Sequence, residues 1–261
     1  MDYRFFRSLK IWGLIRFALS VFVIFLGTLG TAGAEDLFMY CGAGLRQPID
    51  ELLEAYKQQT GINVAVEFGG AGQMLTRYKA TGKGDLFLPG SHFYVEQLKK
   101  NNQVIFSKQV VLHTPVFAVN KKMGNQIKTF DDLAVPGVRV GLGDPKAMAL
   151  GRTAEDILIN SGIKDAILKN TIVRAATVKQ LTLYVVKGDV DAAIIARADA
   201  FQNKESLTYF DIDPTWYTPE IVTVAALKTA SDPAAARKLA EYLGSFYAVE
   251  IFGRYGFLPA P

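Results

Sequence analysis

The chain has 261 residues, of which 50% are hydrophobic and 21% are charged, with a formal net charge of +4 at pH 7. Its single cysteine excludes an internal disulfide, and its two histidines, which have no ligand cluster around them in the sequence, argue against a zinc site. Because four of the 29 basic and one of the 25 acidic residues lie within residues 1–34, the remainder is near neutral at +1, and its charge does not indicate nucleic-acid binding.

The first 34 residues have the pattern of a secretory signal peptide. Basic residues come first, an apolar run covers residues 17–26, and Ala32, Gly33 and Ala34 provide the small residues of an A-x-A cleavage site. We therefore predict cleavage after Ala34 and a soluble, periplasmic product. A transmembrane anchor is the alternative, but it needs about 20 apolar residues, and this run is shorter.

Strand and helix patterns alternate after the signal peptide. Apolar residues over 37–41, 62–68 and 85–88 are typical of strands, and helical patterns over 49–60 and after 69–72 separate them. This β-α-β-α-β order predicts a parallel sheet with right-handed crossovers. Glycines and polar residues follow the strands, at the edge where such sheets bind ligands.

A long β-rich stretch over 109–120, broken by Pro115, predicts a strand that passes from one lobe to another. A second set of strands and helices follows over 138–195, including a helix from Val178 to Lys187 that begins with a capping-box pattern of Thr177 and Gln180. The apolar stretch 219–226 predicts a return crossing before two C-terminal helices. The predicted fold is therefore α/β, a two-lobed, hinged clamshell with two crossover strands and a cleft between the lobes. The predicted boundaries are 1–34 for the signal peptide, 35–114 with 224–261 for lobe 1, and 115–223 for lobe 2.

Seven short motifs, in this order, resemble the periplasmic molybdate-binding proteins over residues 36–257. The motifs cover residues 38–45, 60–64, 68–72, 84–87, 140–145, 185–191 and 252–257. The resemblance implies a type II periplasmic binding protein fold and a monomeric, non-enzymatic solute-binding protein of an ABC importer. It also implies that the cleft binds a tetrahedral oxyanion, molybdate or tungstate, for delivery to a membrane permease, without a cofactor, a resident metal or nucleic acid.

Four helix starts are the candidate ligand-binding positions. The resemblance places them at Gly44, Ala71, Leu150 and Val178. A helix N-terminus offers unpaired N–H groups and a dipole that favours an anion. Small side chains let the backbone approach closely. An ordinary helix cap is the alternative interpretation of each cluster, and we prefer binding because four clusters occur at strand-to-helix junctions.

The chain departs from the family pattern where side-chain hydroxyls are expected. The family's two serines match Gly44 and Ala71, and a tyrosine of the second lobe matches Ala196. A buried dianion that has lost hydroxyl donors needs others. Arginines beside the matched positions can donate bidentate bonds to an oxyanion. These are Arg46, Arg152 and Arg197, of which Arg197 is the first choice.

Other functions of the same fold stay open. The ligand can be sulfate or an organic anion, and a closed clamshell can signal to a membrane receptor. An enzymatic use would make Cys41 a nucleophile, but such a cysteine needs a base or a positive setting. His92 and His113 lie in stretches that do not match a cleft position. We therefore predict that Cys41 is a small buried hydrophobe.

Overall fold

The computed structural model describes residues 36–123 and 126–260. The predicted signal peptide and its cleavage after Ala34 lie outside these residues. Within the described part of the chain, none of the helices combines the length and apolar character that crossing a membrane requires.

The described residues form nine α-helices and eleven β-strands. The helices are α1 (Arg46–Thr60), α2 (Ala71–Thr81), α3 (His92–Lys100), α4 (Ala149–Asn160), α5 (Lys164–Asn170), α6 (Val178–Lys187), α7 (Arg197–Gln202), α8 (Pro233–Leu243) and α9 (Phe246–Arg254). The strands are β1 (Leu37–Gly42), β2 (Val64–Gly69), β3 (Leu86–Leu88), β4 (Val104–His113), β5 (Pro115–Asn120), β6 (Val140–Gly143), β7 (Thr171–Ala175), β8 (Ala192–Ala196), β9 (Leu207–Asp211), β10 (Glu220–Leu227) and β11 (Leu258–Pro259).

The strands form two mixed sheets, each of which is the centre of one lobe. The six-stranded sheet of the first lobe has the order β11-β4-β10-β3-β1-β2. Its strand β1 pairs in parallel with β2 and β3, which confirms the parallel arrangement predicted for the first three strands. The five-stranded sheet of the second lobe has the order β7-β6-β8-β5-β9, in which β6 is parallel to β7 and β8.

The chain crosses between the two sheets at two places. Strand β4 ends at His113 in the first sheet, and β5 begins at Pro115 in the second sheet, where it pairs antiparallel with β8 and β9. The return follows β9, and from Glu220 onward β10 pairs with β4. These crossings confirm the predicted two-lobed α/β fold, and the exact lobe boundaries stay a prediction.

Helix α1 shows how the sequence pattern places a core element. Its apolar residues at 49, 52, 53 and 56 are buried against the first sheet, as the helical spacing predicted. Gly61 caps the end of the helix, and its φ of 75° is the left-handed conformation that glycine adopts at low cost. Cys41, on β1, is fully buried in the same core, which confirms its predicted role as a small hydrophobe.

Candidate functional site

A small cavity lies where the helix starts of the two lobes meet. The space open to the centre of a water molecule is about 20 Å³. Its lining combines the ends of β1, β2 and β4 with the starts of α2, α4 and α6. The lining residues are Gly42, Ala43, Gly44, Leu45, Gly69, Gly70, Ala71, Gly90, His113, Met148, Ala149 and Val178.

Five of the seven predicted ligand-binding residues lie together at this place. Gly44, Ala71 and Val178 line the cavity itself. Leu150 and Ala196 are buried in one apolar cluster with Val178 and therefore form the wall behind it. The structure thus assembles positions that are far apart in the sequence, although their contact with a ligand stays a prediction.

Three helices direct their N-termini to the cavity. Ala71 is the first residue of α2, Ala149 of α4 and Val178 of α6. The first N–H groups of a helix have no partner within the helix, and the dipole gives this end a partial positive charge. Small or aliphatic side chains at these positions leave the backbone accessible. The arrangement can therefore donate several hydrogen bonds to one anion.

The start of α6 follows the predicted capping pattern with one difference. The Thr177 side chain accepts a hydrogen bond from the Gln180 backbone N–H at 3.2 Å, as a capping box requires. The Gln180 side chain, however, accepts from the Ala176 N–H, also at 3.2 Å, instead of the Thr177 N–H. The cap fixes the direction in which the N–H groups at the start of α6 point.

The two lobes touch beside the cavity, so the clamshell is closed. The Gly72 N–H of the first lobe donates to the Ala147 carbonyl of the second lobe at 3.1 Å. A Cβ added at Gly70 would overlap the Ala147 carbonyl oxygen and would lie 2.5 Å from the Ala176 carbonyl oxygen. This close backbone approach is available only without a side chain at Gly70.

Two of the proposed arginines point elsewhere in the described structure. The Arg46 guanidinium lies 3.9 Å from the centre of the ring of Phe68, a residue of β2. Arg197 donates to Asp211 at 3.0 Å and lies 5.7 Å from the centre of the Tyr209 ring. Neither residue is part of the cavity lining.

Arg152 connects the lobes beside the cavity rather than lining it. Its Nη2 donates to the Ser91 hydroxyl and to a Glu220 carboxylate oxygen, both at 3.1 Å. The guanidinium also packs 3.8 Å from the centre of the Phe93 ring. Burial raises the pKa of the Glu220 carboxyl, and the neighbouring Ser91 and Arg152 oppose that shift. Because Arg152 belongs to the second lobe and Ser91 to the first, this contact holds the closed form together.

The interpretation that both histidines lie outside the cleft is wrong for His113, which lines the cavity. Its Nδ1 is 3.2 Å from the Gly90 carbonyl oxygen, and its ring stacks on Phe257 with 6.3 Å between ring centres. Burial lowers the pKa of His113 to about 4. The available sequence signal was its place at the end of a long strand, two residues before the crossover proline Pro115.

Cys41 does not have the surroundings of a reactive cysteine. Its thiol contacts the Gly42 carbonyl oxygen at 3.6 Å, and burial raises the pKa of the thiol well above its ordinary value. Activation of a cysteine nucleophile requires the opposite shift. The structure therefore gives Cys41 a packing role.

Two α/β lobes with two crossings and a cavity between them are the architecture of the type II periplasmic binding protein fold. The family model for bacterial extracellular solute-binding proteins matches residues 37–258. The chain belongs to this family.

Two relatives illustrate the range of similarity. A putative binding protein of Haemophilus influenzae is 42% identical over 227 residues, which cover 87% of this chain and 92% of the relative. The molybdate-binding protein ModA of Escherichia coli is 22% identical over 237 residues, which cover 87% of this chain and 91% of that protein.

Solved structures with the same fold bind different anions. The periplasmic molybdate-binding protein of Azotobacter vinelandii has a TM-score of 0.78 at 17% identity, over 87% of this chain and 100% of that chain. The fructose-6-phosphate-bound AfuA of Actinobacillus pleuropneumoniae has a TM-score of 0.74 at 16% identity, covering 86% and 84%. The sulfate-binding protein SubI of Mycobacterium tuberculosis has a TM-score of 0.73 at 18% identity, covering 86% and 87%. These likenesses establish the fold and leave the ligand to be derived from the site.

Proposed function

We propose that the chain is the solute-binding protein of an ABC importer and that it captures a tetrahedral oxyanion, molybdate or tungstate, in the cavity between its lobes. Export with cleavage after Ala34 and delivery of the ligand by a monomer to a membrane permease are parts of this proposal. The observation that carries it is the convergence of three helix N-termini on one small cavity between the lobes.

The size of the cavity favours an inorganic anion. A sphere of 20 Å³ has a radius of about 1.7 Å, and adding the water radius of about 1.4 Å gives about 3 Å for the largest ligand that the closed form holds. A central atom with four oxygens has about this radius. An organic anion with a carbon chain is larger, so it would need a more open arrangement of the lobes.

The proposed ligand set consists mainly of backbone donors. These are the N–H groups at Gly44, Ala71, Leu150 and Val178, with Ala196 in the supporting wall. Arg46 and Arg197 belong to the proposal only as charges outside the cavity, because their guanidinium groups contact Phe68 and Asp211. Sulfate is the second candidate ligand, since the same donors suit it and a sulfate-binding protein shares the fold.

A thermal-shift screen of residues 35–261 tests the ligand class. We expect molybdate and tungstate to raise the melting temperature, because a ligand at 100 times its Kd stabilises by about 2.7 kcal/mol. For a domain of this size that corresponds to about 5–10 °C. The protein is first unfolded, dialysed and refolded to remove any carried ligand. Stabilisation by citrate or a sugar phosphate, with none by molybdate, tungstate or sulfate, would replace the inorganic-oxyanion proposal with an organic-anion receptor.

Two substitutions at Gly44 separate steric from chemical effects. A Cβ at this position would lie 3.5 Å from the Val178 Cβ, which is ordinary contact, so Gly44→Ser should fit. Its hydroxyl restores a donor, and we expect molybdate affinity to stay equal or to rise by about 2- to 10-fold. Gly44→Val adds methyl groups against Val178, and overpacking of about 1–3 kcal/mol should weaken binding about 5- to 150-fold. Calorimetric titration measures both, and equal losses for serine and valine would contradict the backbone-donor site.

A further inference from the structure

His113 lines the cavity and has a buried ring nitrogen without a partner among the described residues. The residue is buried, and a carbonyl oxygen can only accept, so the contact with the Gly90 carbonyl requires the hydrogen of the ring on Nδ1. The other ring nitrogen, Nε2, is buried and has no hydrogen-bond partner among residues 36–123 and 126–260. Buried polar atoms normally have a hydrogen-bond partner, so a bound ligand is a candidate partner for this nitrogen.

The protonation state of Nε2 decides what it offers to a ligand. In the neutral ring, Nε2 carries a lone pair and can only accept a hydrogen bond. In the protonated ring, Nε2 becomes a charged donor of the strong kind that an oxyanion prefers. His113 is the single titratable residue in the cavity lining. His113 can therefore supply a donor to a ligand that lacks the serine and tyrosine hydroxyls of the family pattern.

We propose that His113 Nε2 contacts the bound oxyanion and that binding of a dianion adds one proton to this nitrogen, so that capture of the ligand is coupled to proton uptake. The inference rests on the proposed function. The proton comes from solvent and forms the Nε2–H bond, while the ligand stays a dianion and no other bond changes. A positive ring then neutralises part of the buried negative charge.

The charged residues near His113 form ion pairs with other residues. Burial is the largest cause of the low pKa of His113, and the charge of Lys179 on α6 lowers that pKa further. The Lys179 amine, however, is bonded to Asp199 of α7 at 2.7 Å. Glu220, directly opposite His113 in β10, is bonded to Arg152 of α4. Both neighbouring charges are therefore paired. A dianion in the cavity is the largest new charge near the ring, and it raises the pKa of His113.

The coupling predicts weaker molybdate binding as pH rises. Burial gives His113 a pKa of about 4 in the closed structure without ligand. The coupling requires a bound dianion to raise this pKa above about 8, so that the complex holds one more proton than the free protein from pH 6 to pH 8. In that window the binding constant falls about tenfold for each pH unit. Titrations from pH 6 to pH 8 should show this slope. Calorimetry at pH 7 in two buffers of different ionisation enthalpy should give an uptake of about one proton per molybdate.

Two variants locate the proton. His113→Gln places an amide donor near the Nε2 position but cannot titrate, so its uptake and its pH slope should fall to zero. His92→Gln is the matched control, because His92 is the other histidine and lies beside Glu96 at 3.3 Å, outside the cavity lining. It should keep both the slope and the uptake. If His113→Gln does not fold, NMR of the wild-type His113 ring with and without molybdate decides the same question.

The possible results are distinct. An uptake near one that disappears in His113→Gln, or an imidazolium ring in the molybdate complex, supports the inference. Molybdate binding with no uptake, with uptake retained in His113→Gln, or with a neutral ring overturns it and leaves the proposed function in place. Tighter binding of phosphate than of molybdate, with a neutral ring, also overturns it, because Nε2 then accepts a hydrogen bond from the protonated oxygen of phosphate. If none of the inorganic oxyanions binds, both proposals fail.

Discussion

Replacing Gly70 by alanine should weaken molybdate binding about 5- to 150-fold, because the added methyl prevents the lobes from closing. In the closed form that methyl would overlap the Ala147 carbonyl oxygen and lie 2.5 Å from that of Ala176. Backbone atoms cannot move aside as a flexible side chain can, and overpacking of this kind costs about 1–3 kcal/mol. The φ of −65° at Gly70 suits alanine, so the open form should not be strained. Calorimetry measures the affinity.

Gly253→Ala is the matched control for this experiment. Gly253 lies in α9, and a Cβ there would meet nothing within 4 Å. We expect wild-type affinity for this variant, together with the ligand-dependent decrease in radius of gyration that small-angle scattering reports for closure. Gly70→Ala should lack that decrease. Wild-type affinity and closure in Gly70→Ala would show that the contact between Gly70 and the second lobe is not required for binding.

Replacing Arg152 by alanine should lower the free energy of unfolding by about 2–4 kcal/mol, somewhat less than removing one partner of a fully buried ion pair, because 28% of the Arg152 side chain is exposed. The variant leaves the Glu220 carboxylate, which is mostly buried, without its 3.1 Å partner. It also removes the contact of Arg152 with Ser91 across the lobes. Chemical denaturation of the molybdate-saturated protein, in which the lobes are closed, measures the loss.

The loss should depend on pH in a defined direction. Burial already raises the pKa of Glu220 above its ordinary value, and removing Arg152 raises it further. A carboxyl whose pKa is higher in the folded than in the unfolded protein binds protons more readily when folded, so stability falls as pH rises from the unfolded pKa of about 4.3 through the folded pKa. The deficit should therefore be larger at pH 8 than at pH 5.

An exposed ion pair provides the comparison for Arg152. Arg237 contacts Glu241 at 3.0 Å in α8, and both side chains are about half exposed. Arg237→Ala should cost no more than about 1 kcal/mol. A double-mutant cycle of Arg152→Ala with Glu220→Gln isolates the pair from other losses. A coupling energy near zero would show that Arg152 acts through its packing on Phe93 instead.

Local patterns in the sequence were sufficient for much of the fold. The helix predicted from Val178 to Lys187 has the same bounds in the structure, because a threonine cap precedes it and Gly188 follows it in the left-handed conformation. The first three strands are parallel as predicted, because helical segments connect them. These features depend on short-range geometry, which residue types and spacing encode directly.

The direction of side chains could not be predicted in the same way. Arg197 follows the strand β8, as expected, but the unpredicted helix α7 begins there, and its first N–H donates to the Thr114 carbonyl oxygen at 2.9 Å. The guanidinium then reaches Asp211 of β9, another element that was not predicted. Ala71 was placed at a helix start by the sequence, and the structure shows that it lines the cavity. The site prediction missed His113, whose place in the cavity depends on how the strands pair across the molecule.

The most direct test of the account is a calorimetric titration of ligand-free residues 35–261 with molybdate. We expect one site per chain, displacement of molybdate by tungstate, and no displacement by an organic anion such as citrate, because the space open to the centre of a water molecule between the closed lobes is only about 20 Å³. No binding of molybdate, tungstate or sulfate, or tighter binding of citrate than of all three, would contradict it.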